Sequence, residues 1–263
     1  MPELPEVEMY KKYIQQKCLH QPIKKAEIKN IKILKDTTKN KIESTLKNTH
    51  FTQTNRIGKY VFIKLNTDPW LILHFGMTGN LKYFTDPTKE PAHSRLLITF
   101  TNNHYFSFDC QRLFGLVTIT NHKNIYIKNK QIGPDALTIT KNEFLNNIKN
   151  RSGKIKAILL NQHILSGIGN IYADEILFQT GIHPETPINH LSKQQKTKLY
   201  DNIIFVLNTA IKHNANIPTY PKQFLLLHRR TDNKCPLNKN HQFKTLKISG
   251  RTTYYCPIHQ PKK

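Results

Sequence analysis

The chain has 263 residues, enough for two domains of ordinary size and a real hydrophobic core. Forty Lys and Arg against 17 Asp and Glu give a net charge of +23. That balance points to a polyanion, nucleic acid before an anionic membrane, because no long apolar run, signal-peptide pattern or interfacial basic helix occurs. Four scattered cysteines, at 18, 110, 235 and 256, exclude a disulfide framework and fit a reducing cytosol.

The chain opens Met1-Pro2-Glu3-Leu4-Pro5-Glu6. Met1 precedes a small residue and is expected to be removed, leaving Pro2 with a free secondary amine. An α-amino group has a pKa of about 8, so part of it is neutral near physiological pH and can form a Schiff base. Glu3 stands next to it to move protons. Read plainly, the same residues are an acidic helix start, since Pro and Glu suit a first turn. Val7, Tyr10, Ile14 and Cys18 then mark one helical face ending near residues 20–22.

Residues 23–120 read mostly as short strands, at 28–34, 50–55, 60–65, 70–74, 96–100, 105–108 and 116–119, separated by turn signals. The pattern predicts an antiparallel sandwich or barrel. Arg56-Ile57-Gly58-Lys59-Tyr60 puts Lys59 at a tight turn, where it can meet a phosphate or protonate a leaving group. A turn lysine is also ordinary solvated surface. Met77, in a Gly-flanked loop, and Arg112 with Phe114 in a second loop form a candidate wedge and arginine for the gap left by an extruded base. Met and Phe are core residues as a rule.

Residues 121–140 read as a connection, and helical spacing follows at 142–148, 155–160, 170–180 and 192–213. Between two of these helices, Ser166-Gly167-Ile168-Gly169-Asn170 is either a packing corner or an anion site at a helix N-terminus, with Lys154 and Lys156 adding positive charge. The tail carries Cys235, His241, Cys256 and His259, a Cys-x5-His-x14-Cys-x2-His set of the type structural zinc prefers. Two strands between the pairs, 243–248 and 252–255, would form a hairpin presenting Arg251 at its turn.

Taken together, these stretches resemble the formamidopyrimidine-DNA glycosylase / endonuclease VIII family of base-excision repair enzymes. The matching segments are PELPEVE at 2–8, GKY at 58–60, HFGMTG at 74–79, DCQRLFG at 109–115, GPDAL at 133–137, IKAILLNQ at 155–162, GIGNIYADEILFQTGIHP at 167–184 and ISGRTTYYCP at 248–257. They run in family order along nearly the whole chain. The resemblance implies an α+β fold of two domains. The first is an N-terminal antiparallel β-sandwich with flanking helices over 1–120. A linker at 121–140 leads to a helix–two-turn–helix domain over 141–227 and a zinc finger over 228–263, with DNA in the cleft.

The resemblance also implies a bifunctional glycosylase and AP lyase for double-stranded DNA carrying damaged bases or AP sites. Pro2 attacks C1′, Glu3 handles protons at the sugar, Glu6 assists, and Lys59 contacts the backbone and aids catalysis. Arg251, Asn170 and Lys156 grip flanking phosphates, while Met77, Arg112 and Phe114 fill the vacated stack. One structural zinc, a monomer, and a cytoplasmic, nucleoid-associated location without a membrane complete the expectation.

Three departures from the family pattern bear on this reading. Asn238 stands where a second zinc cysteine is expected, which makes His241 the replacement, and His259 takes the place of the last cysteine. The wedge segment has one extra residue, DCQRLFG against DPRRFG. No glycine occurs between Gly181 and Gly250, where relatives that favour 8-oxoguanine have a Gly-rich capping loop. The expected preference is therefore for oxidised pyrimidines and ring-opened bases. The alternatives are an 8-oxoguanine/formamidopyrimidine glycosylase, a non-catalytic damaged-DNA-binding protein, and an N-terminal-proline enzyme for small molecules.

Overall fold

A computed structural model describes residues 1–229 and 234–262. The chain forms two compact units: Met1–Pro2 with Glu6–Gln131, and Glu3–Pro5 with Ile132–Lys263.

The first unit is built from α1 (Leu4–Lys17, from Glu6 onward), β1 (Ile23–Ile28), α2 (Lys39–Leu46), β2 (Phe51–Ile57), β3 (Tyr60–Leu65), β4 (Trp70–His74), β5 (Gly79–Phe84), β6 (Ser94–Phe100), β7 (Tyr105–Cys110), β8 (Leu116–Thr120) and α3 (Lys123–Asn129). The strands make two antiparallel four-stranded sheets, ordered β1-β6-β7-β5 and β2-β3-β4-β8. One core joins their inner faces. Val61, Ile63, Leu71 and Leu73 from one sheet meet Leu96, Ile98, Phe106 and Phe108 from the other, and Val7, Ile14 and Cys18 of α1 join them. This is the expected sandwich, and the α1 stripe is the one its three- and four-residue spacing predicts.

Local differences have local causes. The expected strand at 28–34 stops at Ile28, because Asn30 accepts from the Lys32 N–H and opens a 3-10 turn at Ile31–Ile33. β5 is not among the expected strands; it pairs with β7, which supplies a partner no local signal shows. α2 is a polar stretch held by the Thr38 cap and two buried side chains, Ile42 and Leu46. α3 lies within the stretch read as a connection.

The second unit contains α4 (Lys141–Ile148), α5 (Ile155–Leu160), α6 (Asn170–Thr180) and α7 (Lys193–Lys212), then β9 (Lys234–Cys235), β10 (Asn238–Gln242) and the hairpin β11 (Lys244–Ile248) to β12 (Arg251–Tyr255). Capping boxes Thr140/Glu143 and Ser192/Gln195 start α4 and α7. α6 is buried at nearly every position from Tyr172 to Phe178, and packs against Ile155, Leu159, Leu199, Ile203 and Leu207. A helix buried on nearly all sides, its two buried carboxylates included, sits at the centre of its unit. Leu4 is part of this core. The hairpin turns through Ser249 and Gly250, both at positive φ, pairing Ile248 with Arg251.

Candidate active site and nucleic-acid interface

In the second unit, α6 has no capping side chain of its own at Gly169. Glu3 does that work from the other end of the sequence. Its Oε2 accepts from Gly169 N (2.8 Å) and Tyr172 N (3.3 Å), and Oε1 accepts from Ile171 N (3.0 Å). The free N–H groups and the positive end of the helix dipole are thus met by a buried carboxylate. The anion site expected for a DNA phosphate is taken by Glu3. Leu4 N donates to Gly167 O (3.0 Å), and Gly167, at φ +109°, has no room for a Cβ, which would fall 2.5 Å from Leu4 Cδ1. Gln162 braces the same turn, accepting from Gly167 N and donating to the Leu160 and Ile168 carbonyls.

Lys156 differs from its expected place as a phosphate ligand. The side chain is wholly buried, with Nζ donating to Asn170 Oδ1 (2.7 Å), Asp174 Oδ1 (2.5 Å) and Thr253 Oγ1 (2.7 Å). Burial lowers the Lys156 ammonium and raises the Asp174 carboxyl, while each pulls the other the opposite way. Asn170 is half-buried and donates to Thr252 O (3.1 Å). Arg251 is exposed at the start of β12.

Cys235 Sγ, His241 and Cys256 Sγ bring their ligand atoms within 4.8 Å of one another, with both cysteines buried. The donor set of two thiols and an imidazole fits zinc. The structure does not bring His259 into this group. Its Nε2 lies 2.7 Å from Phe178 O, and only its backbone N–H reaches Cys256 Sγ, at 3.5 Å.

In the first unit, Pro2 and Glu6 are half-buried. Glu6 adds to the burial that pushes the Tyr10 phenol up to about 12. Lys59 follows Gly58 (φ +56°) in the two-residue turn between β2 and β3. That turn is anchored by Arg56, which donates to Glu8 Oε2 (2.9 Å) and Gly58 O (3.1 Å). His74 ends β4, packs its ring at a tilt against Tyr60 with centroids 4.6 Å apart, and is pushed down to about 4 by burial and by the Lys59 charge.

The three wedge residues lie on two adjoining loops. A Cβ on Gly76 would sit 2.3 Å from Phe114 O, so only glycine lets these backbones approach. Arg112 N donates to Thr78 Oγ1, and its guanidinium lies over the Phe114 ring at 5.1 Å. Met77 (40%) and Phe114 (57%) are exposed, unusually so for their type.

Sequence reasoning missed Glu8, Arg56, His74, Asp174, Glu175, Arg229 and Thr253. Glu8, His74, Asp174, Glu175 and Thr253 stand in matched motifs, the one signal that could have drawn attention to them. Glu175 accepts from Leu226 N (2.8 Å) and Leu225 N (3.3 Å), and burial pushes it up to about 7.

The fold is similar to that of the protein in solved Fpg–DNA complexes. A Lactococcus lactis Fpg complex with abasic-site DNA aligns with 99% of this chain and 100% of its own, at 28% identity and a TM-score of 0.89. A wild-type Lactococcus lactis Fpg complex with N7-benzyl-Fapy-dG DNA aligns over the same shares at 28% identity and a TM-score of 0.90. The family models for the formamidopyrimidine-DNA glycosylase N-terminal domain and H2TH domain match residues 1–117 and 132–221. Curated relatives carry the same name. One from Mycoplasma mobile is 30% identical over 97% of both chains, and one from Ligilactobacillus salivarius is 32% identical over 100% of both. The chain therefore belongs to the formamidopyrimidine-DNA glycosylase family, and is a DNA-repair glycosylase.

Proposed function

We propose that this glycosylase is also an AP lyase that works through the amine of Pro2 on damaged double-stranded DNA. The observation that carries the reading is Glu3, seated as a carboxylate on the α6 N-terminus and covalently next to Pro2. Met1 precedes a small residue, which supports its removal. The Pro2 nitrogen forms a bond to C1′ as the glycosidic C–N bond breaks, and the base departs with a proton. The sugar ring then opens as the C1′–O4′ bond breaks, O4′ taking a proton from solvent, and this leaves a cationic iminium at C1′. This acidifies C2′, and Glu3, met by three N–H donors, is suited to accept that proton rather than to give one. The electron pair expels the 3′ phosphate, and a second elimination expels the 5′ phosphate.

Glu6 assists at the nucleophile, and Lys59 contacts the backbone from its anchored turn. Asn170 and Arg251 hold flanking phosphates. Met77, Arg112 and Phe114 enter the stack, supported by the exposure of their apolar groups on adjoining loops. Zinc, held by Cys235, His241 and Cys256, staples the hairpin that carries Arg251; His259 completes the set only by giving up the Phe178 carbonyl. The net charge of +23 supports tight, salt-sensitive DNA binding. Among the described residues no helix is long and apolar enough to cross a membrane.

Ring-opened purines and oxidised pyrimidines are the favoured lesions. The neighbour solved with N7-benzyl-Fapy-dG DNA supports the first. The absence of any glycine from 182 to 249, where a pliant lid over 8-oxoguanine would lie, supports both over that base. Borohydride trapping on duplexes carrying formamidopyrimidine, thymine glycol, 5-hydroxyuracil, 8-oxoguanine or an AP site tests nucleophile and substrate together. The expected result is a covalent adduct that Pro2→Gly or a retained Met1 abolishes or greatly reduces. Fast release of 8-oxoguanine with slow release of the others would overturn the lesion preference, and an adduct undiminished by Pro2→Gly would overturn the nucleophile.

A further inference from the structure

Lys156 carries its ammonium to a place a phosphate does not reach. An ammonium has three donors, and all three are used inside the second unit, on Asn170 Oδ1, Asp174 Oδ1 and Thr253 Oγ1. Asp174, on α6, is equally engaged. Its Oδ2 accepts from Arg229 Nε (3.1 Å), Arg229 Nη2 (2.9 Å) and the Tyr254 N–H (3.3 Å). The Asn170 amide closes the circuit by donating to Thr252 O. One buried cation and one buried carboxylate thus join α5, α6, strand β12 and the chain at Arg229.

A buried ion pair is a weak source of stability, because desolvation offsets most of the attraction. Its fixed donor geometry is a strong constraint on register. The partners it constrains are Asn170, and the strand whose first residue is Arg251. We propose that Lys156 and Asp174 are positioning residues: they hold the Asn170 amide and strand β12 in one geometry, so that Asn170 and Arg251 reach DNA phosphates in register, while Lys156 touches no phosphate. This rests on the DNA-repair reading for its purpose, but its first test needs no DNA.

The test is amide hydrogen exchange in the free, zinc-loaded full chain, for wild type, Lys156→Met, Asp174→Asn, the double variant and Thr253→Val. Lys156→Met should speed exchange at the Thr253 and Tyr254 amides by about tenfold or more, with α7 and the first unit unchanged. The double variant should lie closer to wild type than Lys156→Met does, because no buried charge is left without its partner. Thr253→Val removes one acceptor and should give a smaller change of the same sign; should Lys156→Met fail to fold, this variant decides.

The rival role has a different signature. A phosphate ligand leaves hairpin exchange in the free protein unmoved. Its loss also lowers the slope of log affinity against log salt by about one, whatever stands at 174. That result for Lys156→Met, or unaltered exchange in Thr253→Val, would overturn the proposal. Failure of the wild-type protein to release any base would overturn the functional reading instead, and leave the exchange result standing.

Discussion

Glu3 Oε2 lies 2.8 Å from the Gly169 N–H, and a Cβ on Gly169 would fall 2.2 Å from the Glu3 carboxyl carbon. The Glu3 carboxylate and the helix that holds it meet across 166 positions of sequence because one residue has no side chain. Gly169→Ala should therefore displace Glu3 without unfolding the helix. The expected outcome is a fall in kcat of about 100-fold with a small change in KM, as for a misplaced catalytic group. Steady-state excision kinetics beside circular dichroism check it, and a variant with normal kcat would contradict the seat assigned to Glu3.

Arg56 and Glu8 form a buried ion pair at 2.9 Å, with side chains 4% and 10% exposed. Arg56 also holds the Gly58 carbonyl, so the pair supports the Lys59 turn. Glu8→Gln leaves the guanidinium without its buried counter-charge. A loss of about 3 kcal/mol is expected in urea unfolding, together with weaker backbone contact through Lys59. A stability within about 0.5 kcal/mol of wild type would show that the pair is replaceable by hydrogen bonding alone.

His74 sets an acid limit. Its value is pushed from 6.5 to about 4 by burial first and Lys59 second. In the native state it stays neutral while the unfolded chain takes up a proton, so the unfolded state binds more protons between these values. The His74 contribution to stability is then constant above pH 6.5 and falls as the pH drops from 6.5 towards 4. The loss across that window is about 3 kcal/mol. His74→Gln keeps an acceptor for the Gly76 N–H but cannot titrate. Unfolding at pH 7 and pH 4.5 should show a smaller acid loss in the variant, and equal losses would refute the assignment.

The metal staple makes a separate prediction. Freshly purified protein should contain about one zinc per chain. Cys256→Ser should lose it and weaken DNA binding, while the unfolding of the first unit is unchanged, since its core contains none of the ligands. Metal analysis with no zinc in the wild-type protein would show that the Cys235, His241 and Cys256 group is not a resident metal site.

Much of the fold was legible because its signals are local. The α1 stripe, the Gly58-Lys59 turn, the strand at Tyr60–Leu65 and the helices Ile155–Leu160 and Asn170–Thr180 all follow from spacing and turn chemistry. β5 was not legible, because its stability comes from pairing with β7. His259 was read as a zinc ligand from a Cys-x2-His spacing, but spacing says nothing of the Phe178 carbonyl that engages its ring.

Residue types and order by themselves determined the chemistry on offer: a proline at position 2 beside a glutamate, a phosphate-seeking excess of positive charge, a thiol and imidazole tail, and the family to which these belong. Only tertiary structure decided what each charge faces. An isolated lysine in a basic segment reads as a phosphate ligand, and Lys156 becomes a buried strut because Asp174, Asn170 and Thr253 converge on it. A helix N-terminus reads as a phosphate site, and Glu3 fills it. Sequence shows which groups carry charge, but the energy of a charge depends on its burial and its partners, and long-range packing sets both.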